Sequence, residues 1–139
     1  MGLSIRNQLT GTVTSITPGE VMASVKSRLS GGQEITAAIT REAVEDLRIA
    51  EGSAIRALIK ATEVSLATGP ITGISIRNRL PGQVARIATG GAMATVKVSV
   101  EGGELTAAIT SEAATELGLM AGSPVVALIK STEISIATV

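Results

Sequence analysis

Five residue types are missing from this 139-residue chain: cysteine, histidine, phenylalanine, tyrosine and tryptophan. Without cysteine there is no disulfide staple and no thiolate metal site. Without histidine or cysteine two common nucleophile–base arrangements are gone, and no side chain has an unperturbed pKa near neutrality. Without aromatic rings there are no stacking platforms for single-stranded nucleic acid. Charge of one sign is also lacking: 12 basic and 12 acidic residues cancel, so no basic face announces a polyanionic partner. No helix-turn-helix or similar reading module is visible. No apolar run is long enough to span a bilayer. The N-terminus lacks a basic stretch followed by an apolar segment, so it does not read as a signal peptide. The expectation is a protein with no nucleic-acid or membrane partner, placed in the cytoplasm by default.

What is present is a repeat. Ser4-Ile5-Arg6-Asn7-Gln8-Leu9-Thr10-Gly11 returns as Ser75-Ile76-Arg77-Asn78-Arg79-Leu80-Pro81-Gly82, and Ala57-Leu58-Ile59-Lys60-Ala61-Thr62-Glu63 returns as Ala127-Leu128-Ile129-Lys130-Ser131-Thr132-Glu133. Ser4 and Ser75 are 71 residues apart, Ala57 and Ala127 only 70, so one residue was lost near Gly32-Gln33. Two copies of about 65 residues are too few and too large for a solenoid array, so each copy should be a small fold. The division is residues 1–68, a Gly/Pro linker at 69–73, and residues 74–139. Domains this small bury little surface. With no staple they are expected to gain stability by packing on each other or by oligomerising. Their core must come from Val, Ile, Leu, Ala and Met, which still leaves 45% hydrophobic residues.

Period-2 patterning dominates. Val21, Ala23 and Val25 alternate with Met22, Ser24 and Lys26, and Val96, Val98 and Val100 with Thr95, Lys97 and Ser99. Ile35, Ala37 and Ile39 share a face, matched by Leu105, Ala107 and Ile109. Ile55, Ala57 and Ile59 are matched by Val125, Ala127 and Ile129. Gly31-Gly32 and Gly102-Gly103 read as hairpin turns, and Gly11 and Gly82 as turn or bulge positions. Residues 41–47 and 111–117 have helical spacing and early acidic residues, with Thr40 and Thr110 as N-caps. Gly52 and Gly122 mark turns into the next strand, and the last strands cover residues 64–66 and 134–136. The fold class is therefore all-β: two tandem OB-like five-stranded β-barrels, each with one short helix after its third strand.

The chemistry-bearing residues sit at the two ends of each copy. Arg6 and Arg77 offer a rigid fork of donors. Ser4 and Ser75 add a hydroxyl, Asn7 and Asn78 an amide. Lys60 and Lys130 supply further positive charge, with Ala61 or Ser131 giving backbone or hydroxyl donors. Such a set suits a dehydrated dianion held by many aligned donors. The same residues equally describe a surface Arg and Lys on strands with Asn in a turn. Thr40 and Thr110 are plain caps, at a helix end that also welcomes anions. Lys26 and Lys97 fall on the solvent side of an alternating strand. Glu63 and Glu133 read as partners in surface or cross-strand ion pairs at the start of a strand, not as acid–base catalysts. A Ser–Lys pair or two carboxylates would be the remaining catalytic routes. No Walker-type or dinucleotide glycine motif occurs in the required context.

The ordered set Ser-x-Arg-Asn-x-Leu-x-Gly, Gly-Gly hairpin, Ala-Ile-Thr entering a helix, and closing Leu-Ile-Lys-x-Thr-Glu resembles the Mop domain of molbindins. Two in tandem resemble the di-Mop members. The resemblance covers essentially the whole chain. It implies an OB-like barrel and non-catalytic cytoplasmic binding of molybdate or tungstate as ligand, with no metal atom ligated directly by protein. It implies a homotrimer of six domains, with anions at interfaces where one domain gives the Ser-x-Arg-Asn segment and another the Lys segment. The implied sets are Ser4, Arg6, Asn7, Thr40, Lys60 and Ala61, and Ser75, Arg77, Asn78, Thr110, Lys130 and Ser131. Which copy faces which stays open. Two departures stand out. Ala43 and Ala113 replace a Ser common after the helix-entering Thr, and Ala61 replaces the Ser that often follows the Lys.

The function expected on these grounds is molybdenum storage or homeostasis, with affinity nearly flat between about pH 6 and 8 because no histidine titrates there. The alternatives are the effector-sensing module of a molybdate-responsive regulatory system and a ligand-free oligomerisation module. In the first case, since the chain begins at its first motif, a DNA-reading module would be a separate polypeptide.

Overall fold

A computed structural model describes all 139 residues. Each copy forms five antiparallel strands and one short helix, as the alternation requires. In copy one these are β1 (Asn7–Pro18), β2 (Met22–Leu29), β3 (Glu34–Thr40), α1 (Arg41–Leu47), β4 (Ala54–Ile59) and β5 (Ser65–Ala67). In copy two they are β6 (Asn78–Thr89), β7 (Met93–Val100), β8 (Gly103–Thr110), α2 (Ser111–Glu116), β9 (Pro124–Ile129) and β10 (Ser135–Thr138). A single 3-10 turn, Ala61–Glu63 or Ser131–Glu133, precedes each last strand. The two sheets curl into OB-like half-barrels.

The sheets do not follow the copies. One has the order β10-β4-β1-β2-β3 and the other β5-β9-β6-β7-β8. Ser135–Thr138 pairs with β4 of copy one, and Ser65–Ala67 pairs with β9 of copy two. Each copy thus lends its fifth strand to the other, so neither is the self-contained fold that the repeat implies. The preceding 3-10 turns cross over too: Ala61–Glu63 lies on β8 and Ser131–Glu133 on β3. Glu63 and Glu133 sit in these turns, not at a strand start, and neither forms an ion pair.

Exchange merges the cores. One apolar cluster runs from Leu29, Ile35 and Ile59 of copy one to Leu105, Ile129 and Ile134 of copy two. Each such buried aliphatic side chain contributes about 1.5–3 kcal/mol, and here both copies share that gain. A smaller cluster of Val13, Val25, Ile49 and Ile55 takes Val44 and Leu47 of α1 against it. Thr40 and Thr110 cap the helices as expected, accepting from the backbone N–H of Ala43 and Ala113 at 3.1 Å.

Gly11 and Gly82 are neither turns nor bulges. They lie inside β1 and β6, and the register shifts come further on, between Val13 and Ser15 and between Val84 and Arg86. What requires glycine is close approach: a Cβ at Gly11 would stand 2.7 Å from the Arg28 carbonyl oxygen, and one at Gly82 would collide with that of Ser99.

Candidate functional site: two cationic corners

Antiparallel pairing sets the site. Asn7 at the start of β1 lies opposite Ile59 at the end of β4, and Asn78 lies opposite Ile129. Arg6 and Lys60 directly adjoin that last rung in sequence, as Arg77 and Lys130 adjoin theirs. The Ser-x-Arg-Asn and Lys segments of one copy thus meet at the end of one ladder, a corner of the fold. The other copy's contribution is a threonine the sequence reading had passed over. The Asn7 carboxamide donates to the Thr106 carbonyl at 2.8 Å and accepts from the Thr106 N–H at 2.7 Å. Asn78 does the same with Thr36, at 2.9 and 2.8 Å. Both asparagines are buried, with 3% and 2% exposure. Their amides hold a strand of the other copy as a neighbouring strand would. The signal was there: Thr36-Ala37-Ala38-Ile39-Thr40 is repeated without change as residues 106–110.

The charged tips point outward. Ser4, Arg6, Lys60, Ser75, Arg77 and Lys130 are all exposed. The Arg6 guanidinium donates to the Ser4 carbonyl at 3.1 Å, curling that segment. Arg79 does the corresponding work in copy two, donating to the carbonyls of Ile76 and Ile74 at 3.0 Å. Lys60 and Lys130 precede 3-10 turns that have no side-chain cap, so the first backbone N–H groups there remain available as donors. Ala61 and Ser131 are half-buried at the same place.

The corners differ inside. Asn78 also donates to the Ile129 carbonyl at 3.0 Å, and shares a proton with the Ser131 hydroxyl at 3.4 Å. Asn7 has only its Thr106 pair: Ala61 offers no hydroxyl, and no bond reaches the Ile59 carbonyl. Lys97, expected on the solvent face, is half-buried, and its ammonium donates to the Thr106 hydroxyl at 2.7 Å. Lys26, its counterpart, is exposed as expected. Alternation does place Lys97 on the outer face. Thr106 is its direct neighbour across the β7–β8 ladder.

Thr40 and Thr110 are not brought to these corners within the chain. They end β3 and β8, four residues beyond Thr36 and Thr106, or about 13 Å along the strand. Each sits instead across from an exposed methionine, Met22 or Met93.

The TOBE domain family matches the chain twice, over residues 3–66 and 74–136. The chain belongs to this family, as a tandem member of the molbindin type. Among solved structures, the molybdate-bound form of the cytoplasmic molybdate-binding protein ModG is 37% identical and covers all of both chains with a TM-score of 0.97. Among curated relatives, molybdenum-pterin-binding protein MopA of Rhodobacter capsulatus is 39% identical over 139 residues, covering 99% of this chain and 52% of the relative. The transcriptional regulator ModE of Yersinia pestis is 36% identical over 137 residues, covering 97% of this chain and 52% of the relative. The chain thus spans about half the length of the curated relatives it matches. The tandem OB-like fold and its strand count agree with the likeness to ModG. No helix is long and apolar enough to cross a membrane.

Proposed function

We propose that this protein binds molybdate, or the similar oxyanion tungstate, and serves molybdenum storage or homeostasis without catalysis. The observation that carries this reading is that the segments holding Arg6 and Lys60, and those holding Arg77 and Lys130, meet at the last rung of one ladder, on a chain that matches a molybdate-bound structure along its whole length. Each corner presents a guanidinium, an ammonium, a serine hydroxyl and uncapped backbone N–H groups on a frame locked by a buried asparagine. Charge-assisted hydrogen bonds of this kind are about twice as strong as neutral ones. Because the charged groups are exposed, a second surface has to close over the anion. A homotrimer supplies it, and there Thr40 and Thr110 from neighbouring chains complete the donor set. A cytoplasmic location accords with the neighbour ModG.

Calorimetric titration with molybdate tests this. The wild-type protein takes up molybdate and not sulfate. Arg77→Ala and Lys130→Ala each weaken one class of sites by about 1.5–3 kcal/mol, with the trimer unchanged by light scattering. Both variants binding the full complement overturns the assignment. The match to half of a transcriptional regulator favours one second reading, that of an effector-sensing module. A molybdate-dependent shift of DNA in a gel, with this chain present, would favour it.

A further inference from the structure

We propose that Lys97 is a positioning residue of the copy-one corner, doing from behind what Ser131 does from the front at the other. The inference rests on the oxyanion reading above. Both corners depend on a buried asparagine that grips a threonine peptide of the opposite copy. At the copy-two corner the Asn78 amide is held on further sides, by the Ile129 carbonyl and the Ser131 hydroxyl. At the copy-one corner Asn7 bonds Thr106 alone, with no hydroxyl at Ala61 and no bond to the Ile59 carbonyl. There the threonine is fixed instead: the Lys97 ammonium docks on its hydroxyl at 2.7 Å. Nothing equivalent exists behind Thr36, where Lys26 is exposed.

The surroundings leave Lys97 free for this. Arg86, opposite it on β6, faces Glu104 at 3.6 Å, and no carboxylate pairs with Lys97. Lys60 is the residue before the 3-10 turn of copy one that lies on β8, the strand of Thr106. The ammonium of Lys97 therefore stands two hydrogen bonds from the Asn7 carboxamide, near enough for its field to reach the corner when salt is low. It adds positive potential to a site for a dianion and touches no anion itself.

Four variants test the idea by molybdate titration of the intact protein at 20 mM and 500 mM salt. Lys97→Gln should weaken half of the sites by about fivefold at low salt and by less than about twofold at high salt, as expected for a screened charge at this range. Lys97→Arg should bind like wild type. Lys26→Gln should change nothing. Ala61→Ser in the Lys97→Gln background should recover part of the loss, since it restores the brace used at the other corner. The proposal is overturned by a Lys97→Gln isotherm that superimposes on wild type, by failure of Lys97→Arg to restore binding, or by an equal loss in Lys26→Gln. Wild-type protein that takes up no molybdate would overturn the oxyanion reading itself, and this inference with it.

Discussion

The corner around Asn7 and the corner around Asn78 descend from one sequence and hold the same backbone contact by different means. In the first, the threonine is pinned by a lysine and the asparagine has no further partner. In the second, the asparagine is pinned by a serine and a carbonyl, and the threonine is half-buried and without a lysine. What survived duplication is the pair of peptide hydrogen bonds between copies. The side chains that support them drifted. A buried peptide group must be paired, whereas the pairing can be stiffened from several directions.

The largest expected effect tests the frame that makes the corners possible. Deleting Ser135–Val139 should strip β4 of copy one, not β9 of copy two, at a cost of about 3–5 kcal/mol from lost ladder bonds and the contacts of Ile136. Hydrogen exchange should show new openness in Ala54–Ile59 and none in Pro124–Ile129. The reverse pattern would mean that each copy keeps its own last strand.

A smaller effect separates the corners themselves. Asn7→Ala leaves both peptide groups of buried Thr106 unpaired and should cost about 3 kcal/mol in urea denaturation. Asn78→Ala exposes the same groups of Thr36 to a wetter site and should cost nearer 1–2 kcal/mol. Equal or inverted costs would show that burial of the threonine does not decide the matter. Smallest of all, Ala61→Ser should let Asn7 gain the contact that Asn78 has with Ser131. At 3.4 Å that bond is long, so the gain should be no more than about 0.5 kcal/mol. A denaturation midpoint that falls would mean the copy-one corner has no room for the hydroxyl.

Much of this molecule is legible in its sequence because the signals are local. Alternation gives the strands, glycine pairs the hairpins, and Thr40 and Thr110 the helix starts, each within a few residues. The Ser-x-Arg-Asn and Lys segments mark the corners. Strand exchange is not legible. Val64-Ser65-Leu66 and Ile134-Ser135-Ile136 are near copies, and β4 and β9 offer near-identical edges, so pattern alone cannot say which pairs with which. The path of the chain decides it, through two 3-10 turns too short to leave a periodic signature. One of those turns, not a strand start, holds Glu63, and Lys97 reaches across its own hairpin to Thr106. Thr36 and Thr106 leave no signal in a motif because it is their peptide groups that meet the asparagines. Gly11 and Gly82 were located correctly and explained wrongly, since a close carbonyl leaves no trace in composition.

Exchange of the fifth strands has tied the two halves into mutual dependence. Either half alone would carry one edge with no cover and one spare segment with nothing to cover. Gene duplication ordinarily frees one copy to be lost or to wander. Here loss would leave the survivor needing a second molecule to finish its sheet, so the doubled form perpetuates itself through architecture, whatever selection acts on the ligand.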